Sequence, residues 1–121
     1  MLSFKLTLGR VSIVTTQCCT NEAIAHFYID VEWMREYTYL YLKNFEYDTL
    51  GNTSSISKAV NSSIIKAMPF VLPNEDLISA FSKLTLPIFK KIYDAQQCIN
   101  VAQEARDNLL LKLMTGELEV E

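Results

Sequence analysis

The sequence predicts an α+β protein, a small partial β-sheet with short helices followed by one long C-terminal helix of the coiled-coil type. Three observations predict it. Up to Leu72-Pro73 short segments alternate with period two or recur at helical spacing, whereas a single helical pattern runs from Asn74 to Leu113. Within that run Ile88, Ile92, Ala95, Ile99, Ala102, Arg106, Leu109 and Leu113 follow one another in steps of 4, 3, 4, 3, 4, 3 and 4, a heptad seam with a single charged position. Finally, ~40 helical residues at ~1.5 Å rise span ~60 Å, more than a small head can cover, so the stripe calls for a partner helix. The division expected is residues 1–73 as the head and 74–121 as a helical spacer or dimerisation region.

Taken in order, Leu2-Ser3-Phe4-Lys5-Leu6 alternates with period two and Val11 to Val14 is short and β-branched, so Gly9-Arg10 reads as the tight connection of a hairpin. Thr20-Asn21 marks a turn before a third strand, Glu22 to Ile29, which contains His26. With no second histidine, His26 is read as a paired or exposed strand residue rather than a ligand or base. Asp30 or Glu32 starts a helix in which Trp33, Tyr37, Leu40 and Tyr41 recur at helical spacing up to Lys43. Its aromatic stripe can stack on bases, but burial against a sheet explains it more simply. Phe45 to Leu50 adds a helical turn stopped by Gly51, Asn61 caps a short helix through Lys66, and Met68 to Val71 is a last apolar strand ended by Pro73. In the long helix, Pro87 leaves the Lys83 carbonyl unbonded, which predicts a kink or a break between Ser82 and Leu86.

Composition narrows the function classes. Half of the 121 residues are hydrophobic and the formal charge is -3. The head carries Lys5, Arg10, Arg35, Lys43, Lys58 and Lys66 against Glu22, Asp30, Glu32, Glu36, Glu46 and Asp48, so it is neutral and the helix holds all the excess acid. Nucleic-acid binding by bulk charge is thereby excluded; it would have to rest on local loops. Cys18 and Cys19 are adjacent and Cys98 is distant, a pattern of reduced thiols and not of a disulfide framework or zinc site. The chain also lacks a Gly-rich phosphate loop and metal-ligand spacing, which leaves an enzyme little to work with. No apolar run is long enough to span a membrane and Met1-Leu2-Ser3-Phe4-Lys5 lacks signal-peptide order, so a cytoplasmic protein is expected.

The most polar loop is Gly51-Asn52-Thr53-Ser54-Ser55-Ile56-Ser57-Lys58. Small hydroxyl and amide groups with one lysine suit phosphate and base-edge contacts, and equally a solvated linker.

The order of the motifs carries more than any one of them. Leu8-Gly9-Arg10-Val11-Ser12-Ile13, Cys19-Thr20-Asn21-Glu22-Ala23-Ile24-Ala25 and the aromatic helix Tyr37 to Lys43 come first. The Gly51-Asn52-Thr53 loop, Met68-Pro69-Phe70-Val71-Leu72-Pro73 and the tail Arg106-Asp107-Asn108-Leu109-Leu110-Leu111-Lys112-Leu113-Met114-Thr115-Gly116-Glu117-Leu118 follow. This series resembles the specificity subunit of type I restriction-modification enzymes: the back part of a target-recognition domain plus the conserved helical region. The resemblance implies a non-catalytic DNA-binding subunit of a restriction system. Two recognition domains would each read half of a bipartite double-stranded target, with two long antiparallel helices spacing them. It implies methyltransferase and restriction subunits as partners, and leaves S-adenosylmethionine, ATP and magnesium (Mg) to those partners. The family pattern starts before the first strand here and has a second domain, so the chain looks like a truncated piece.

On that resemblance the DNA-binding candidates are Asn52, Thr53, Ser54, Ser55 and Lys58, then Arg10, Lys5 and Asn21. The helix seam is the expected oligomer interface, with a homodimer through the long helix when the chain is alone. The competing reading is a structural oligomerisation protein, an α/β head on a coiled-coil stalk with no nucleic-acid role; the neutral head favours it and the ordered motifs favour the first.

Overall fold

The computed structural model describes residues 1–5, 7–50 and 60–118. It is mixed α+β, with a three-stranded antiparallel sheet of order β2-β1-β3, short helices and one long C-terminal helix. Two compact units divide the chain, Met1–Lys83 and Leu84–Glu121.

In the first unit β1 (Leu2–Ser3) lies between β2 (Arg10–Val11) and β3 (Ile24–Ala25), with Leu2 opposite both Val11 and Ala25. The strands are shorter than their apolar runs suggested. Only backbone bonds extend the first pair: the Ser12 amide donates to the Met1 carbonyl at 3.0 Å and the Met1 ammonium to the Ser12 carbonyl at 2.8 Å. Gly9-Arg10 is not the tight connection, because Arg10 already pairs with Ser3 and the chain turns earlier, with the Gly9 amide donating to the Ser3 carbonyl at 3.1 Å. Gly9 is needed there for another reason: its φ is +86° and a Cβ would stand 3.1 Å from the Tyr47 ring. Before β3 the expected turn forms, with the Asn21 side chain accepting from the Ala23 amide at 3.1 Å.

The core is Leu2, Phe4, Val60 and Ile65, with Leu8, Val11, Ala25, Phe27, Tyr47, Leu50 and Ile64 packed around it. A 3-10 turn at Glu32–Met34 leads into α1 (Arg35–Asn44), and a second 3-10 turn covers Tyr47–Leu50. Tyr37 and Tyr41, the tyrosines of the predicted stripe, do not pack against the sheet. Leu42 and Thr38, one position round the helix, are buried, and α1 packs on β2. Tyr37 and Tyr41 point instead at Phe70, with ring centroids 5.9 and 4.8 Å away, and Tyr37 also meets Phe81 at 6.0 Å.

α2 (Ser62–Lys66) is capped as expected, the Asn61 side chain accepting from the Ile64 amide at 2.9 Å. The strand expected at Met68 to Val71 does not form. Pro69 and Pro73 bring no backbone donor to a ladder, and the carbonyls of Pro69 and Val71 are taken by the hydroxyls of Tyr41 (3.0 Å) and Tyr37 (2.7 Å).

The long helix is α3 (Glu75–Met114), opened by the Asn74 side chain accepting from the Leu77 amide at 2.9 Å, with Glu75 and Asp76 in the first turn. Of the kink or break expected between Ser82 and Leu86, the break does not occur: the helix continues through Pro87. One missing amide removes one backbone bond, and the turns on either side keep theirs. Gly116 closes the helix at φ +72°, with the Glu117 amide donating to the Lys112 carbonyl at 3.0 Å and the Gly116 amide to Leu113 at 3.3 Å, a Schellman arrangement.

Candidate nucleic-acid interface and the helix seam

The polar-loop candidates Asn52, Thr53, Ser54, Ser55 and Lys58 lie outside the described residues, as does Gly51. The remaining candidates are spread along the sheet: Arg10 on the edge strand β2, Lys5 just after β1, and Asn21 in the turn before β3 on the other edge. Arg10 is exposed on β2. Lys5 donates to Glu22 at 3.1 Å, with both side chains largely in solvent. A hydrogen bond from its own backbone, and then Lys5, hold the Glu22 carboxyl below the usual carboxylate range. Lys5 therefore has to exchange a carboxylate for a phosphate before it can serve DNA. Asn21 spends its side-chain oxygen on the turn and keeps its amide hydrogens for other partners.

An open groove runs between α1 and the segments around residues 11–18 and 26–29, with His26, Tyr28 and Arg35 on its walls and none of the described candidates lining it. His26 is exposed, and its Nε2 lies 2.6 Å from the Thr20 hydroxyl, a partnered histidine and no ligand cluster. Tyr28 is 88% exposed, its ring 6.1 Å from that of His26. Arg35 turns its Nε (2.9 Å) and Nη2 (2.6 Å) on one oxygen of Glu36, a fully buried carboxylate. The other oxygen, Oε2, has no hydrogen-bond partner among the described residues. Sequence reasoning missed Tyr28 and Arg35 because each sits inside an unremarkable element; the available signal was a tyrosine out of phase with the apolar residues Phe27 and Ile29.

Such a groove presents an exposed tyrosine ring and the Arg35 guanidinium, which is turned onto Glu36. Among the described residues no group of three or more His, Cys, Asp or Glu could hold a metal ion. Cys18, Cys19 and Cys98 are free and exposed.

In the second unit the heptad positions are open. Ile88 is 57% exposed, Ile92 59%, Ile99 49%, Leu109 55% and Leu113 36%. Ala95 and Ala102 are exposed as well, and Arg106 folds onto its neighbour Asp107 at 2.7 Å. An apolar stripe of this size on a helix is a candidate docking surface. No helix among the described residues is long and apolar enough to cross a membrane.

A head of short strands with local polar groups and a helix bearing an exposed apolar stripe make up a mixed α+β class of protein. Comparison with known proteins gives that class a particular identity: the chain is similar to part of the specificity subunits of type I restriction enzymes. It is 36% identical over 80 residues to the MjaIX specificity subunit of Methanocaldococcus jannaschii, covering 66% of this chain and 18% of that protein. Against the HindI specificity subunit of Haemophilus influenzae it is 28% identical over 118 residues, 93% of this chain and 25% of the relative. The chain thus spans a quarter or less of the curated relatives it matches, and the comparisons support reading it as part of a specificity subunit. No family model and no solved structure matches it.

Proposed function

We propose that the chain is the DNA-recognition and spacer portion of a type I restriction-modification specificity subunit, without catalysis of its own. The observation that carries this reading is the similarity to two specificity subunits, one match extending over 93% of the chain. In this reading the head contacts duplex DNA through the loop Asn52, Thr53, Ser54, Ser55 and Lys58, with Arg10, Lys5 and Asn21 alongside. Small polar side chains meet base edges and phosphates, and the cations meet phosphates. The subunit would direct methyltransferase and restriction subunits to a bipartite target, and S-adenosylmethionine and ATP chemistry would stay with them. A cytoplasmic setting follows from that role.

The long helix is the spacer. Its seam takes a partner helix, and when the chain is alone a second copy takes that place. Selection of bound duplexes from a randomised pool tests the recognition role, with a recurring sequence expected. A pool that returns without enrichment, while the protein remains folded, overturns it. Light scattering tests self-pairing: twice the 13.8 kDa chain mass is expected, and a monomer at high micromolar concentration contradicts it.

A further inference from the structure

The segment between α2 and α3 is held without a ladder and without burial. Among the described residues, residues 69–73 make no backbone–backbone hydrogen bond, and Pro69 and Pro73 have no amide to give. Phe70 is 40% exposed, Val71 62% and Leu72 66%, so packing into a core does not fix their place. One face of α1 does reach them. Tyr37 and Tyr41, four residues apart and therefore on the same side of the helix, donate to the carbonyls of Val71 at 2.7 Å and Pro69 at 3.0 Å. Both rings lie against the ring of Phe70, the residue between those two carbonyls. Tyr37 has a third contact, because its ring meets Phe81 in the second turn of α3 edge-on, with centroids 6.0 Å apart. The buried residues of α3, Ile78 and Ser82, lie in these same first turns. All of them belong to the compact unit Met1–Lys83.

We propose that Tyr37 and Tyr41 are the positioning residues of the joint between head and long helix: together they clamp residues 69–72 on α1 and so fix where α3 begins. The inference rests on the spacer reading above and deepens it, since a helix keeps a set distance only from a fixed start. Each tyrosine supplies two restraints. The hydroxyls fix the register of the connector, because sliding it by one residue would offer them the Phe70 and Leu72 carbonyls and take the Phe70 ring from between theirs. The rings carry the restraint onward. Tyr37 packs edge-on against both Phe70 and Phe81, at 83° and 89°, so the connector and the first turns of α3 share one support.

The test is 15N relaxation on the full chain, comparing the parent with the double variant Tyr37→Phe, Tyr41→Phe, which keeps both rings and removes both donors. The amides of Phe4 and Ser12, bonded to the Ala23 and Met1 carbonyls in the sheet, serve as the reference. In the parent the amides of Phe70, Val71 and Leu72 should show order parameters near those of the sheet, about 0.85. In the double variant these three should fall below about 0.6 while Phe4 and Ser12 keep their parent values. A connector that is already below about 0.6 in the parent overturns the proposal, as does one that keeps its order in the double variant. An equal fall in sheet and connector also overturns it, because the tyrosines would then support the whole head and not the joint. None of these outcomes involves DNA, so a failed clamp and a failed selection of duplexes are told apart.

Discussion

Tyr47 shows how single residues hold the head together. Its hydroxyl donates to the Leu42 carbonyl at 2.6 Å, its ring lies against Gly9, and burial pushes its pKa up to about 12. A phenol whose pKa is higher in the folded than in the unfolded chain stabilises the fold fully below pH ~10, and that contribution is lost as pH rises towards the folded value. Alkaline titration followed by near-UV circular dichroism should therefore show a loss of tertiary signal between about pH 10 and 12 that Tyr47→Phe weakens. The same substitution should cost about 1 kcal/mol at neutral pH through the lost hydrogen bond. Arg35 is the second such residue. Removing it leaves the buried Glu36 carboxylate without its two donors, and since the Arg35 side chain is half-exposed, Arg35→Ala should cost about 2–3 kcal/mol by urea denaturation. A loss within about 0.5 kcal/mol would show that solvent replaces the guanidinium.

The elements were legible in the sequence to different degrees. Asn61 was readable as a cap because an amide side chain before a helix can accept from a free amide of the first turn, and it accepts from the amide three residues on. The segment Met68 to Val71 misled because hydrophobicity fits a strand, whereas two prolines and two tyrosine hydroxyls decide against it. The tyrosine stripe of α1 has the spacing of a buried face, but spacing alone could not say which neighbour it meets. That neighbour is Phe70, on the segment mistaken for a strand. For α3 the caps at both ends are local, and the closing one gives a prediction. At φ +72° Gly116→Ala should cost about 1–2 kcal/mol of local stability and speed amide exchange over the last turn near Lys112 to Met114. Unchanged exchange there would show that the Schellman bonds do not hold the helix end.

For the molecule as a whole, the α+β class and the long helix followed from periodicity, whereas the candidate DNA contacts did not. A neutral head gives no electrostatic signature, so its candidates came from the order of motifs that resembles specificity subunits. The structure also shows why charge counting was uninformative: Lys5 is spent on Glu22 and Arg35 on Glu36. Of the proposed contacts Arg10 is exposed on β2, and recognition by the polar loop as proposed rests its charge on Lys58. The most direct measurement is a salt titration of duplex DNA binding by fluorescence anisotropy, with the parent chain and Lys58→Gln compared. Recognition through this loop predicts that log affinity falls linearly with log salt and that Lys58→Gln lowers the slope by about one, equally for all sequences. No duplex binding at low salt, or identical slopes for the two proteins, would contradict it.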